Sequence, residues 1–122
     1  MDETRVMKEH KRLEALLSKA DVPKQKRDVL APVIDNLAWQ RIKLDETREL
    51  MQNTAVVIPY NNGGGQEGLR ENPIFKAYIN LFRAYMVGLE KFSEYLPEDL
   101  QGEAGGDGMS VLAQVMEMKK KA

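Results

Sequence analysis

The chain of 122 residues contains no cysteine and only one histidine. Without thiols there is no disulfide framework and no thiolate nucleophile. One histidine without cysteine does not build a usual zinc site. Nucleophile triads need a base, and His10, on an apolar helical stripe, is the only histidine to offer. No apolar run approaches the roughly 18 residues of a membrane span. The first ten residues, MDETRVMKEH, are charged throughout and do not resemble a signal peptide. Together these absences predict a protein that is not an enzyme, with no metal, no cofactor, no small-molecule substrate and no membrane partner.

What is present suits one small helical domain. Charged residues make up 30% and hydrophobic ones 43%. The formal net charge is −1, but it is unevenly spread. Residues 1–27 carry eight Lys or Arg against five acids, residues 28–108 carry seven against thirteen, and residues 109–122 carry three against one. Basic ends around an acidic middle point to a polyanionic partner at the ends, against the ordinary alternative of a solvated helix face.

Residues 3–19 read as a helix, because Val6, His10, Leu13 and Leu17 recur at helical spacing beside Leu16. "ADVP" at 20–23 ends it, with Asp21 expected to cap a second helix and Pro23 to sit in its first turn. That helix spans about 23–53, with a bend expected near Pro32. Its buried side is marked by Leu30, Ile34, Leu37, Trp39, Ile42, Leu44, Leu50 and Met51. Asp45 and Glu49, with Arg41 and Arg48 nearby, read as surface salt bridges. TAVVIPY at 54–60 is β-branched and extended, and Pro59 restricts it to an edge strand or irregular segment.

The run NNGGGQEGLRENP at 61–73 tests for a phosphate-binding loop. After Gly68 comes Leu69-Arg70, not the Lys-Ser or Lys-Thr of a Walker loop. Gly63, Gly65 and Gly68 match G-x-G-x-x-G by count, but no strand–turn–helix unit surrounds them. The stretch is therefore expected to be a chain reversal whose positive-φ positions glycine fills cheaply. Asn72 and Pro73 then open a helix over 73–96. Phe75, Tyr78, Phe82, Tyr85, Leu89, Phe92 and Leu96 alternate at three and four, a heptad seam expected to serve self-association. QGEAGGDG at 101–108 reads as a flexible linker. Beyond it, Val111, Leu112, Val115 and Met116, followed by Lys119, Lys120 and Lys121, read as a short amphipathic tail for a partner.

This order of parts resembles a branch of the tailed-phage terminase small subunits. The resemblance rests on Gly64, Gly65, Gly68, Leu69, Arg70, Asn72, Pro73, Phe75 and Tyr78, within a similar architecture over residues 5–96. It implies a phage or prophage DNA-packaging protein that forms a homo-oligomeric ring and binds double-stranded viral DNA. It also implies recruitment of the large ATPase and nuclease subunit, in the cytoplasm of the bacterial host. Many such proteins carry a separate N-terminal helix-turn-helix domain, and this sequence shows no clear one. Charge alone therefore selects Lys8, Lys11, Arg12, Lys19, Lys24, Lys26 and Arg27 as DNA contacts. The rival expectation is a helical adaptor that binds a protein and no DNA. The expected fold is mainly α, a basic helical hairpin and an assembly helix joined by an extended segment or β-hairpin.

Overall fold

The computed structural model describes residues 3–61 and 63–105. The elements are α1 (Glu3–Lys19), α2 (Lys24–Met51), β1 (Val57–Asn61), β2 (Glu67–Glu71), α3 (Pro73–Ser93) and α4 (Glu98–Gln101). The fold is mainly helical, as the apolar periodicity predicts, with an antiparallel two-stranded hairpin between α2 and α3. α1 and α2 run in opposite directions: His10 meets Asp35, while Arg5 near the start of α1 reaches Glu49 near the end of α2.

The turn between them is not built as the sequence suggests. Asp21 does not cap α2. It ends α1, with a left-handed φ of 58°. The amide of Val22 donates to the Leu17 carbonyl and that of Asp21 to the Ser18 carbonyl, both at 3.0 Å. This is a Schellman ending, with the apolar contact between Val22 and the core that usually accompanies it. Pro23 takes the N-cap position of α2, and no side chain caps that helix. α2 continues through Pro32, which lies on an exposed face. A proline on the water side leaves its orphaned carbonyl partner to solvent, so the helix need not stop.

The core joins all the helices. Leu13, Leu16 and Leu17 of α1 meet Leu30, Ile34, Leu37 and Leu44 of α2, and Tyr85, Leu89 and Phe92 of α3. Burying each such side chain contributes about 1.5–3 kcal/mol. Close packing of α3 on α2 relies on Gly88, where a Cβ would come within 2.9 Å of the Leu37 side chain. Trp39 and Leu50, expected in the buried set, are instead 44% and 69% exposed. The core stripe of α2 passes through Ile34, Leu37, Arg41 and Leu44, at spacings of three and four, and leaves both of them on other faces.

In the hairpin, Tyr60 pairs with Gly68, and a Cβ there would lie 2.9 Å from the Tyr60 ring. Gly63 and Gly65 have positive φ in the turn. The glycine run is thus a hairpin turn, and β2 separates it from α3. Asn72 then caps α3, its Oδ1 accepting from the Ile74 amide at 3.2 Å, with Pro73 in the first turn.

The segment expected to start a flexible linker packs against the body. Leu100 and Ala104 join the core, and Gly105 is buried. Residues 102–105 form a strap across α1 and α2, held by arginines described below. The remainder of the expected linker and the amphipathic tail lie outside the described residues.

Candidate nucleic-acid interface

The seven basic residues selected on charge separate into three environments, and helix periodicity is the reason. On α1, Lys11 and Ser18 share one side, whereas Lys8, Arg12 and Lys19, at spacings of four and seven, fall on the side of the strap. Lys11 and Ser18 line an open cavity of about 450 Å³ with Lys24, Arg27, Glu14 and Asp28. Arg27 Nη1 donates to Ser18 Oγ at 3.0 Å and ties the two helices together there. Its Nε is buried without a hydrogen-bond partner. Lys8 is exposed but does not line this cavity.

The start of α2 adds to this charge. It has no side-chain cap and no acidic residue in its first turn. Its free amides therefore present the positive end of the helix beside Lys24 and Arg27. Glu14 and Asp28 temper the field from within the same cavity. The cluster is cationic on balance and open to solvent, which is what phosphate contacts require.

Arg12, Lys19 and Lys26 each have a partner within the chain, and Lys19 and Lys26 remain exposed. Arg12 holds both Glu9 carboxylate oxygens, at 2.7 and 2.8 Å. It also donates to the carbonyls of Glu103 at 2.6 Å and Ala104 at 2.7 Å. All three of its nitrogens are occupied. Lys19 Nζ lies 3.7 Å from Glu103 Oε2. Lys26 Nζ stands 5.2 Å above the centre of the Tyr95 ring, a cation–π contact.

Arg41 completes the strap's anchor, where the sequence suggests only a surface pairing with Asp45. It is buried, donates to the Gly105 carbonyl at 2.5 Å, and lies 3.4 Å from Asp45. Asp45 also meets Arg48 at 2.8 Å. The available signal is positional: Arg41 occupies the core stripe of α2. Burial works against its charge, but the neighbouring Tyr85 hydroxyl, Asp45 and Glu9 outweigh it and hold the pKa above the ordinary arginine value. Burial likewise pushes the Tyr85 hydroxyl upward, opposed by Arg41. The two groups are close enough to interact, yet the Tyr85 hydroxyl finds no hydrogen bond of good geometry.

The expected assembly seam on α3 is also divided. Tyr85, Leu89 and Phe92 are fully buried and Leu96 is 4% exposed, all within this chain's own core. They have no surface left for a second copy, and this corrects their assignment as interface residues. Phe75, Tyr78 and Phe82 remain half-buried, with Tyr78 and Phe82 stacked at 6.3 Å. Near them in the chain, Ile79, Leu69, Val57 and Leu50 are exposed.

His10 falls on neither the core nor the cationic cluster. Nε2 faces Glu14, and Nδ1 lies 2.7 Å from Asp35. Because the two carboxylates sit on opposite sides of the ring, they do not converge on a common point. Among the described residues no group of three or more histidines or acids is arranged to hold a metal ion. No helix among them is long and apolar enough to cross a membrane. The chain matches no family model, no curated protein and no solved structure.

Proposed function

We propose that this protein is a non-catalytic DNA-packaging initiator of the terminase small-subunit kind. In this reading it oligomerises, binds double-stranded viral DNA and brings the large ATPase–nuclease subunit to it in the host cytoplasm. The observation that carries the DNA component is the open cluster of Lys11, Lys24 and Arg27 at the uncapped start of α2. Self-association falls to the half-exposed part of α3, Phe75, Tyr78 and Phe82, with the exposed apolar residues of the hairpin. A ring of such protomers multiplies a modest local charge by the subunit number.

Duplex-DNA titration in the presence of increasing salt tests the reading. Three phosphate contacts per protomer predict a log–log slope of about −2.7, or about a fortyfold loss between 50 and 200 mM salt. Reversal of Lys11, Lys24 and Arg27 to Glu is expected to abolish the salt-dependent binding. Lys26→Glu is expected to weaken it far less, because Lys26 is turned to Tyr95.

A second reading is favoured by one observation. The exposed apolar residues around the hairpin, including Leu69 at 73%, also suit a helical adaptor that binds a protein without DNA. Absence of any salt-dependent DNA binding by an intact, folded chain selects that reading.

A further inference from the structure

The half of α3 that stands clear of the core has a charge of one sign. Lys76, Ile79, Arg83 and Val87 follow one another at spacings of three and four, and all are exposed. They therefore form one stripe on the solvent side of the helix. From Pro73 to Leu89 the sequence holds no acidic residue. Lys76 and Arg83 make no ion pair among the described residues. The stripe is thus apolar and cationic.

A second exposed apolar surface lies on the α1–α2 pair. It is an open cavity of about 710 Å³, lined by Glu3, Val6, Met7, His10, Asp35 and Trp39. Met7 is 59% exposed and Trp39 44%. An indole, a thioether and a valine meet there beside the exposed residues Glu3 and Asp35, and no lysine or arginine belongs to the lining. Tryptophan and methionine exposed in this way are side chains in which protein interfaces are enriched. The cavity opens away from α3. Leu37 of α2 packs at Gly88 of α3, and Trp39, two residues on, lies about 200° around the same helix.

We propose that this cavity receives the α3 stripe of a second copy of the chain, so that copies associate head to tail. Ile79 and Val87 supply the apolar side chains for Met7 and Trp39, and Lys76 and Arg83 supply the cations for Glu3 and Asp35. Charge selects this arrangement over a symmetric one. Two stripes face to face would set cations against cations, and two cavities would set carboxylates against carboxylates. The unlike surfaces match in both charge and apolarity. Because they face different directions, each copy uses both at once, which is how rings and open filaments are built. The inference rests on the self-association proposed above and names the surface that receives it. It does not depend on DNA binding.

Two full-length variants separate the surfaces. M7D/W39Q removes the apolar floor of the cavity, and K76E/I79D/R83E reverses the stripe. Every substituted position is exposed, and circular dichroism checks that helicity is unchanged. By native mass, the wild type is expected to form a complex of many subunits and each variant alone to stay monomeric. Mixed in equal amounts, the variants are expected to form a one-to-one pair, since one keeps the stripe and the other the cavity. Trp39 is the only tryptophan, so all tryptophan emission from the mixture comes from the K76E/I79D/R83E chain, and pairing is expected to shift it to the blue. If the M7D/W39Q chain assembles like the wild type, or if the mixed variants do not pair where the wild type assembles, the proposal is overturned while self-association stands. A monomeric wild type would overturn self-association itself, and the proposal with it.

Discussion

Single residues carry much of the energetics, and several occupy positions that their chemistry alone does not announce. Asp21 adopts a left-handed backbone that glycine enters without steric cost. Asp21→Gly is therefore expected to stabilise the fold by about 0.5–1 kcal/mol, measurable by urea denaturation. An unchanged or lower midpoint would mean that the aspartate side chain compensates for its backbone. Tyr85 offers a pH test. Its folded pKa lies above the ordinary tyrosine value of 10.0. The unfolded chain then releases this proton first as pH rises. The stability it confers is fully present below the unfolded pKa and lost as pH climbs through the folded one. Tyr85→Phe is expected to flatten the decline of Tm above that pH, against the background shared by the lysines. Because the hydroxyl is buried without a good partner, its removal at neutral pH is expected to cost little. Arg41→Ala is different: it deletes a buried charged hydrogen bond to Gly105 and is expected to cost about 1.5–3 kcal/mol. Limited proteolysis is expected to cut sooner after the strap in that variant. The arginine clamp was only partly legible in the sequence. An arginine in a core stripe signals a buried partner, but nothing local identifies a carbonyl 64 residues away.

At the level of elements, strong periodicity and the cap of α3 were readable, whereas the turn into α2 and the division of exposed from buried faces were not. The start of α3 follows from Asn72 and Pro73, whose roles as cap and first-turn residue depend only on neighbouring backbone. Asn72→Ala is expected to cost about 1 kcal/mol, seen as a lower Tm. The same side chain also donates to the Ala55 carbonyl at 3.1 Å, so the hairpin is expected to loosen with it. The heptad seam of α3 is real as a stripe, but a stripe does not say what covers it. Its second half is buried in the core, while in its first half Tyr78 and Phe82 pack against that core and stay half-buried. The glycine run likewise marked a reversal and left an extended segment or a β-hairpin open, because EGLRE has no alternating apolar pattern to mark β2. A two-stranded hairpin is marginal by itself in water. Its two strands owe their pairing to the turn glycines and to Tyr60 over Gly68.

For the molecule as a whole, charge and exposed apolar surface occupy separate places. The cationic cluster lies at the α1–α2 turn, while the half-exposed aromatics lie on the first half of α3. An assembly formed through the aromatics leaves the cluster open to DNA. Composition located the basic region, but it treated seven charges as equivalent. The fold gives Arg12, Lys19 and Lys26 partners in Glu9, Glu103 and Tyr95, ties Arg27 to Ser18, and leaves Lys8, Lys11 and Lys24 exposed. Native mass in solution addresses the assembly, for which a discrete complex of many subunits is expected, and Phe75→Glu with Tyr78→Glu is expected to reduce it to smaller species. The central claim, however, is that the cluster of Lys11, Lys24 and Arg27 binds phosphates. It is tested most directly by titrating duplex DNA from low to moderate salt with the intact chain and with its K11E/K24E/R27E variant. The account predicts steeply salt-dependent binding by the former and none by the latter, with both equally helical. Equal binding by the two chains, or none by the intact one at low salt, would contradict it.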